Sequence, residues 1–392
     1  MQPKVVYWNN MPSPYVVGRF NALARRAPFA FEAWFDRPRD PDRSWDVDQA
    51  TWEFPARYLS GPDGARRVPR LELIEVRPDL LVSLFAERHF ALGSLMARSL
   101  GARTAFRVLP TFDAWIQRHA AKEAAKHYLF RTVDAAKVPG PDGARVARKY
   151  GIPSDRIFPV TQSVDVAHYA SGGSAEARDR ARSLRALLPA EGPQFVCVGR
   201  LWKGKGLDYL LDAFERVVRT HPTASLLLIG DGVDEAEYRR SAATIRNVAF
   251  AGFIQPADLP AYYHEADALV FSTLGDPHGL VVEEAMAARL PVISTTAAGD
   301  IRLRLPHDEA GLVVPPADSG ALVDAMLYLA TRPDDRKRMG GRARELVATR
   351  THEHWAVDFE RFVERTLRLP RRRAPAASSA VVAGRMLSFR RR

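Results

Sequence analysis

A single cysteine, Cys197, stands in this 392-residue chain, which excludes an intramolecular disulfide and argues against a cysteine-built metal centre. It falls inside the apolar run Phe195 to Val198, where a buried structural thiol is expected. No apolar run approaches the roughly 20 residues of a membrane-crossing helix. Met1-Gln2-Pro3-Lys4 leads straight into a strand pattern, without the apolar core and cleavage site of a secretory leader. A cytoplasmic location is therefore expected. Lysine is scarce, with 8 among 57 basic residues, and two of the eight share one short loop. Acidic residues are absent from 369–392, where seven arginines supply most of the net charge of +11. There Arg371-Arg372-Arg373 and Arg390-Arg391-Arg392 flank Val381-Val382 and Met386-Leu387. Such a tail suits either the anionic inner face of a membrane or simple solvation. Nothing resembles a recognition motif or a base-stacking platform, so no nucleic-acid partner is expected.

What is present is an alternation of short apolar runs and amphipathic stretches. Strands are predicted at Val5–Trp8, Phe31–Phe35, Leu80–Phe85, Thr104–Leu109 and Ala135–Val138. Helical patterns at Phe20–Ala27, His89–Leu100 and Trp115–Phe130 lie between them. After Tyr169 the composition changes, through Ser171-Gly172-Gly173-Ser174 and an arginine-rich stretch to Pro193. The alternation then restarts, with strands at Phe195–Val198, Leu226–Ile229, Val248–Phe250, Ala268–Phe271, Val292–Ser294 and Leu312–Val314. Helices are predicted over Leu207–Val218, Glu235–Ile245, Ala257–Glu265, Val281–Ala288, Ala321–Ala330, Asp334–Val347 and His352–Leu367. This reads as an α/β protein of two Rossmann-like, doubly wound domains facing a central cleft. The division expected is 1–170, a linker over 171–193, a second domain over 194–351, a helix 352–368 returning to the first domain, and a basic tail 369–392.

Two segments carry chemistry. Gly199-Arg200-Leu201-Trp202-Lys203-Gly204-Lys205-Gly206 joins a strand to a helix. Glycines let the backbone approach a ligand, the helix start offers free N–H groups, and Arg200 and Lys205 add positive charge. A diphosphate suits that loop. The second segment, Asp276-Pro277-His278-Gly279-Leu280-Val281-Val282-Glu283-Glu284, follows the strand ending at Phe271 and runs into a helix.

Together these segments resemble the donor-binding domain of the retaining, nucleotide-sugar-dependent glycosyltransferases of family GT4, which have the GT-B fold. Gly230-Asp231-Gly232, Gly252-Phe253-Ile254 and Ala266 to Val270 keep the family's order and spacing. The likeness is strong over 195–350 and weaker over the N-terminal half. It implies that Gly199, Arg200 and Lys205 grip the diphosphate of a UDP- or GDP-linked sugar. It also implies that Glu284 accepts from the ribose hydroxyls and Asp276 from the transferred sugar. The backbone at His278, Gly279 and Leu280 would approach phosphate and sugar, and Ile254 the base. Glu283 and Glu284 point about 100° apart on a helix; the family pattern selects Glu284 and leaves Glu283 in solvent.

Departures from the pattern matter. Asp276 replaces the usual glutamate and His278 a frequent phenylalanine. The strand end Ala105 to Pro110 lacks a histidine found in some relatives, and Arg107 occupies that neighbourhood. The loop before Tyr15, with Ser13, lines the acceptor side in this fold; it lacks the Gly-Gly pair of many relatives and does not support a phosphate-bearing acceptor. His89 and His119 suggest ordinary packing or surface roles. The implied reaction is same-face transfer to a glycan or lipid-linked acceptor, without cofactor or metal. Asp40-Pro41-Asp42 and Asp46-Val47-Asp48 have the Asp-x-Asp form of metal-dependent transferases but lie in a polar, proline-containing stretch. A sugar-nucleotide epimerase, a phosphorylase and a non-catalytic scaffold are the competing readings.

Overall fold

The computed structural model describes residues 2–39, 44–60, 66–85, 87–110 and 120–372. Asp40, Asp42, His119 and most of the basic tail lie outside the described residues. Two all-parallel sheets organise the chain. The first contains β1 (Lys4–Asn9), β2 (Ala30–Phe35), β3 (Ala56–Tyr58), β4 (Leu80–Ser83), β5 (Arg103–Arg107), β6 (Ala135–Val138) and β7 (Ile157–Pro159), in the order β3-β2-β1-β4-β5-β6-β7. The second contains β8 (Gln194–Val198), β9 (Ser225–Ile229), β10 (Val248–Gly252), β11 (Ala268–Phe271), β12 (Val292–Thr295) and β13 (Gly311–Val314), in the order β10-β9-β8-β11-β12-β13.

The sequence pattern explains the second sheet directly. Its strands are short and mainly apolar because helices cover both faces of its central strands. Along β8 the side chains alternate between two cores: Val196 and Val198 enter one, Phe195 and Cys197 the other. β11 divides the same way, Leu269 and Phe271 against Ala268 and Val270. Cys197 is buried, and that burial pushes its thiol up to about 12, which makes it inert. Helix Leu207–Thr220 buries Leu207, Leu210, Leu211, Phe214, Val217 and Val218, the three-and-four spacing of one apolar face.

Three expectations shift. β3 and β7 are three-residue edge strands, too short for a periodic signal and, in β7, ended by Pro159. The first helix runs over Pro14–Ala24 rather than Phe20–Ala27, because Ser13 caps it and Pro14 is set for the first helical position. The stretch 171–193, expected as a linker, holds helix Ala175–Arg185; its Ala177 and Ala181 enter the second domain's core with Val164, Val166 and Tyr169. The small side chains let an arginine-rich helix pack closely on one face.

Helix His352–Arg368 crosses back to the first domain. Trp355, Phe359, Phe362 and Val363 join Val5, Tyr7, Phe20, Phe31 and Phe158 in one core. Phe359 stacks on Trp355 with ring centres 4.9 Å apart and meets Tyr7 at 5.6 Å. Phe359→Ala is expected to destabilise the first domain by about 3–5 kcal/mol, read as a fall in the urea midpoint. A loss below about 1 kcal/mol would mean that the helix is not part of this core.

Candidate active site

Parallel strands aim their carboxyl ends the same way, and ligands enter where successive connections part to opposite sides. In the second sheet that point lies between β8 and β11, so the loops after these strands meet there. Gly206 makes the meeting close: its φ is +66°, and a Cβ would stand 2.2 Å from the Ser272 carbonyl oxygen. The Ser272 hydroxyl donates to the Lys205 carbonyl at 2.9 Å, and Leu274 N–H to the Gly204 carbonyl at 3.0 Å. The loops are thereby zipped together.

Across the zip, Lys205 Nζ donates to Asp276 Oδ2 at 2.6 Å, with roughly a fifth of each side chain exposed, 19% and 18%. Asp276 Oδ1 accepts from His278 N–H at 2.8 Å. Burial pushes the Asp276 carboxyl up, but the Lys205 charge and these hydrogen bonds outweigh it and hold the group below its ordinary value. Gly279 (φ +73°) turns the chain into helix Val281–Ala287, and a Cβ there would collide with the Phe271 ring at 2.4 Å. Arg200 is half-buried at the same sheet end, its guanidinium 5.5 Å from the Trp202 ring centre. It makes no ion pair with Asp276. Ile254 is half-buried against the second domain's core.

The adjacent glutamates correct one expectation. Glu283 is not in solvent: both Glu283 and Glu284 are fully buried. The short helix that carries them packs against β11, β12 and helices Val166–Ala170 and Pro333–Val347, so a 100° turn leads from one covered face to another. Glu283 pairs with Arg304 at 2.5 Å and with His278 at 3.3 Å. Burial pushes its carboxyl up, yet Arg304 and His278 pull harder and keep it ionised. Arg304 also donates to the His278 and Gly299 carbonyls, fixing the loop that holds Asp276. Glu284 instead accepts from the Tyr15 hydroxyl at 2.5 Å and the Tyr263 hydroxyl at 2.7 Å; burial raises its carboxyl, and the tyrosines moderate the rise.

Tyr15 belongs to the first domain, so its bond to Glu284 spans the seam between the sheets. Ser13 is occupied as a helix cap, its Oγ accepting from Val16 N–H at 3.4 Å. Arg107 is half-buried at the carboxyl end of β5. Further ties cross the seam, among them Gln255 with Ser44 and Asp46. Asp142 N–H donates to Asp300 Oδ1 at 2.8 Å while Asp300 N–H donates to Asp142 Oδ2 at 2.7 Å. The Ser44 hydroxyl donates to Asp231 at 2.9 Å. Of the second Asp-x-Asp, Asp48 caps a turn through Ala50 N–H and Asp46 lies 3.8 Å from Arg39. His89 packs on Phe90 and bonds Asp36 at 2.8 Å. Tyr263, Arg304 and the Asp142–Asp300 pair had no local signature, since each gains its role from a partner distant in sequence.

Two buried histidines give the fold a pH signature. Burial, then the charge of Arg304, lowers His278 to about 4, and burial, then Arg19, lowers His352 to about 4, against an ordinary 6.5. The unfolded chain therefore takes up protons first. The linked stability is fully present above pH 6.5 and is lost as pH falls toward 4, by about 3 kcal/mol per histidine. Tm is expected to fall across that window, less steeply in His278→Gln; a Tm independent of pH from 7 to 4.5 would contradict the burial of both rings.

Residues 192–332, which hold both loops and both glutamates, match the family of glycosyl transferases group 1. The chain is 30% identical over 161 residues to glycogen synthase of Mycobacterium tuberculosis, covering 40% of this chain and 39% of that protein. It is 26% identical over 250 residues to the alpha-D-kanosaminyltransferase of Streptomyces kanamyceticus, 62% of this chain and 61% of that one. The chain thus spans less than two thirds of these relatives. Among solved structures, Anabaena HepE in complex with UDP superimposes with a TM-score of 0.74 over 93% of this chain and 100% of that one, at 14% identity. Sucrose-phosphate synthase from Thermosynechococcus elongatus gives 0.72 over 93% and 99%, at 21% identity. Two parallel-sheet domains in this order give this chain the GT-B fold of those solved structures, and its segment 192–332, spanning the loops that meet at Lys205 and Asp276, is similar to the glycosyl transferases group 1.

Proposed function

We propose that the protein is a retaining glycosyltransferase that moves a hexose from a UDP- or GDP-linked donor to a hydroxyl of a glycan or lipid-linked acceptor, in polysaccharide or glycolipid assembly. The observation that carries this reading is the Lys205–Asp276 pair, part-exposed at the switch point of the second sheet, with Glu284 beside the seam. That HepE was solved with UDP-glucose supports a nucleotide-sugar donor.

In this reading Lys205 and Arg200 hold the diphosphate and stabilise the charge that grows as it leaves. Asp276, kept ionised, accepts from hydroxyls of the transferred sugar; both of its oxygens retain lone pairs beyond the Lys205 and His278 bonds. Glu284 takes the ribose hydroxyls. For that, Tyr15 gives up its place, and one O–H donor replaces another, so the buried carboxylate stays satisfied throughout. The bond from the anomeric carbon to the phosphate oxygen breaks, the acceptor oxygen bonds to the same face of that carbon, and its proton passes to the departing phosphate oxygen. Positioning and charge do the work, so cofactor and metal are unnecessary. The protein would act at the cytoplasmic side of the membrane, with the basic tail against anionic lipid.

Lys205→Ala is expected to lower kcat/KM for transfer about 100-fold or more in a protein that still folds. An unaltered rate would remove the assigned role. Activity should persist in excess EDTA; its abolition would replace the metal-free account by a metal-dependent one.

A further inference from the structure

Three cationic side chains, Arg19, Arg107 and Lys137, act on one another at the cleft end of the first sheet; Glu283 is the acid that acts on Arg19, and it is already paired with Arg304. Arg107 and Lys137 are register partners on β5 and β6. Both project to the sheet face covered by helices Pro14–Ala24 and His352–Arg368, where Ala105 and Ala135, two residues before each, join that core. Arg19 comes down from the first of those helices. Lys137 is 3% exposed and Arg19 5%. Arg19 spends Nε and one terminal nitrogen on the Ser163 hydroxyl and carbonyl, at 3.0 and 2.8 Å. The Lys137 ammonium lies 5.4 Å from the centre of the Trp355 ring. Among the described residues none of the three makes an ion pair. Asp358 is the acid that acts on Lys137, and it is directed at Arg361, 3.6 Å away.

Burying cations without a counter-charge is costly. Here the cost is visible in the groups themselves. Burial, then repulsion from Arg107 and Arg19, holds Lys137 well below the lysine range, and burial, then repulsion from Arg107, lowers Arg19 to about 9. The cluster also borders the cleft. Pro110, three residues beyond Arg107, packs on Gly299, whose N–H donates to the Asp276 carbonyl at 3.0 Å.

We propose that Arg19, Arg107 and Lys137 form a binding site for a phosphoryl group, across the cleft from the Lys205–Asp276 pair. Two guanidiniums and an ammonium match the near-double charge and the acceptor oxygens of a phosphate. None of the three residues belongs to the loop before Tyr15, since they stand on a helix and two strands, so the missing Gly-Gly pair does not bear on them. That the phosphoryl group belongs to the acceptor rests on the transferase reading; the existence of the site does not.

The test is isothermal titration of the full chain with inorganic phosphate and with glycerol 3-phosphate, at constant ionic strength. It is run in a Lys205→Ala, Arg200→Ala background so that the two donor-side cations do not contribute. Saturable binding of either ligand is expected, weakened at least tenfold by Lys137→Met and by Arg107→Gln separately. Binding of both ligands marks an ester-bearing acceptor, and binding of inorganic phosphate alone marks a free ion; each supports the site. Lys137→Met should also raise Tm in phosphate-free buffer, because it removes an uncompensated buried cation. If either variant fails to fold, the other decides. Absence of binding, or binding unchanged in the folded variants, overturns the proposal.

Discussion

The ion pair between Lys205 and Asp276 closes the junction of two loops in the second domain. It joins the two loops that leave neighbouring strands in opposite directions, at the place where a parallel sheet opens a crevice. The first loop has one 3-10 turn, Lys203–Lys205, and the second a single bridge from Asp276 to Ala298. Gly206 allows backbone contact, Ser272 and Leu274 supply the hydrogen bonds, and the ion pair closes the arch. Behind it Arg304 ties Glu283 to the His278 carbonyl. That buried pair is weak evidence for stability, since its Coulomb gain is offset by desolvation. Its effect is geometric: it fixes where Asp276 stands.

The seam between the domains is polar where it meets the site. A carboxylate from one domain, Glu284, is reached by a hydroxyl from the other, Tyr15, and the Asp142–Asp300 pair ties the domains a second time through their helix starts. Polar ties of this kind can be exchanged for ligand contacts at small net change in energy, whereas an apolar seam cannot. Helix His352–Arg368 secures the other end of the connection by burying an aromatic face in the first domain. The molecule thus joins one firm attachment to a seam whose bonds a ligand could replace.

Much of this was legible in the sequence. Apolar runs of four or five residues, each followed by an amphipathic stretch, predict the parallel sheets, because a strand covered on both faces must be apolar throughout. The loop at 199–206 and the segment 276–284 could be read because glycine, charge and helix start fall within a few residues of each other. The weaker readings have physical causes. Edge strands β3 and β7 bury too little to need a pattern, and the arginines of 175–185 hid two alanines that seat the helix. Glu283 misled because helix geometry gives the angle between neighbouring side chains but not what covers each one. Tyr263, Arg304 and Lys137 were silent, since their roles come from partners far along the chain.

The central claim is that Lys205, Arg200 and Glu284 converge on the diphosphate and ribose of an activated sugar. A crystal structure of the protein with UDP-glucose or GDP-mannose tests it most directly. The account requires phosphate oxygens within about 3 Å of both cations, and ribose hydroxyls on Glu284 in place of Tyr15. A nucleotide bound elsewhere, with the bond from Tyr15 to Glu284 intact, would contradict it.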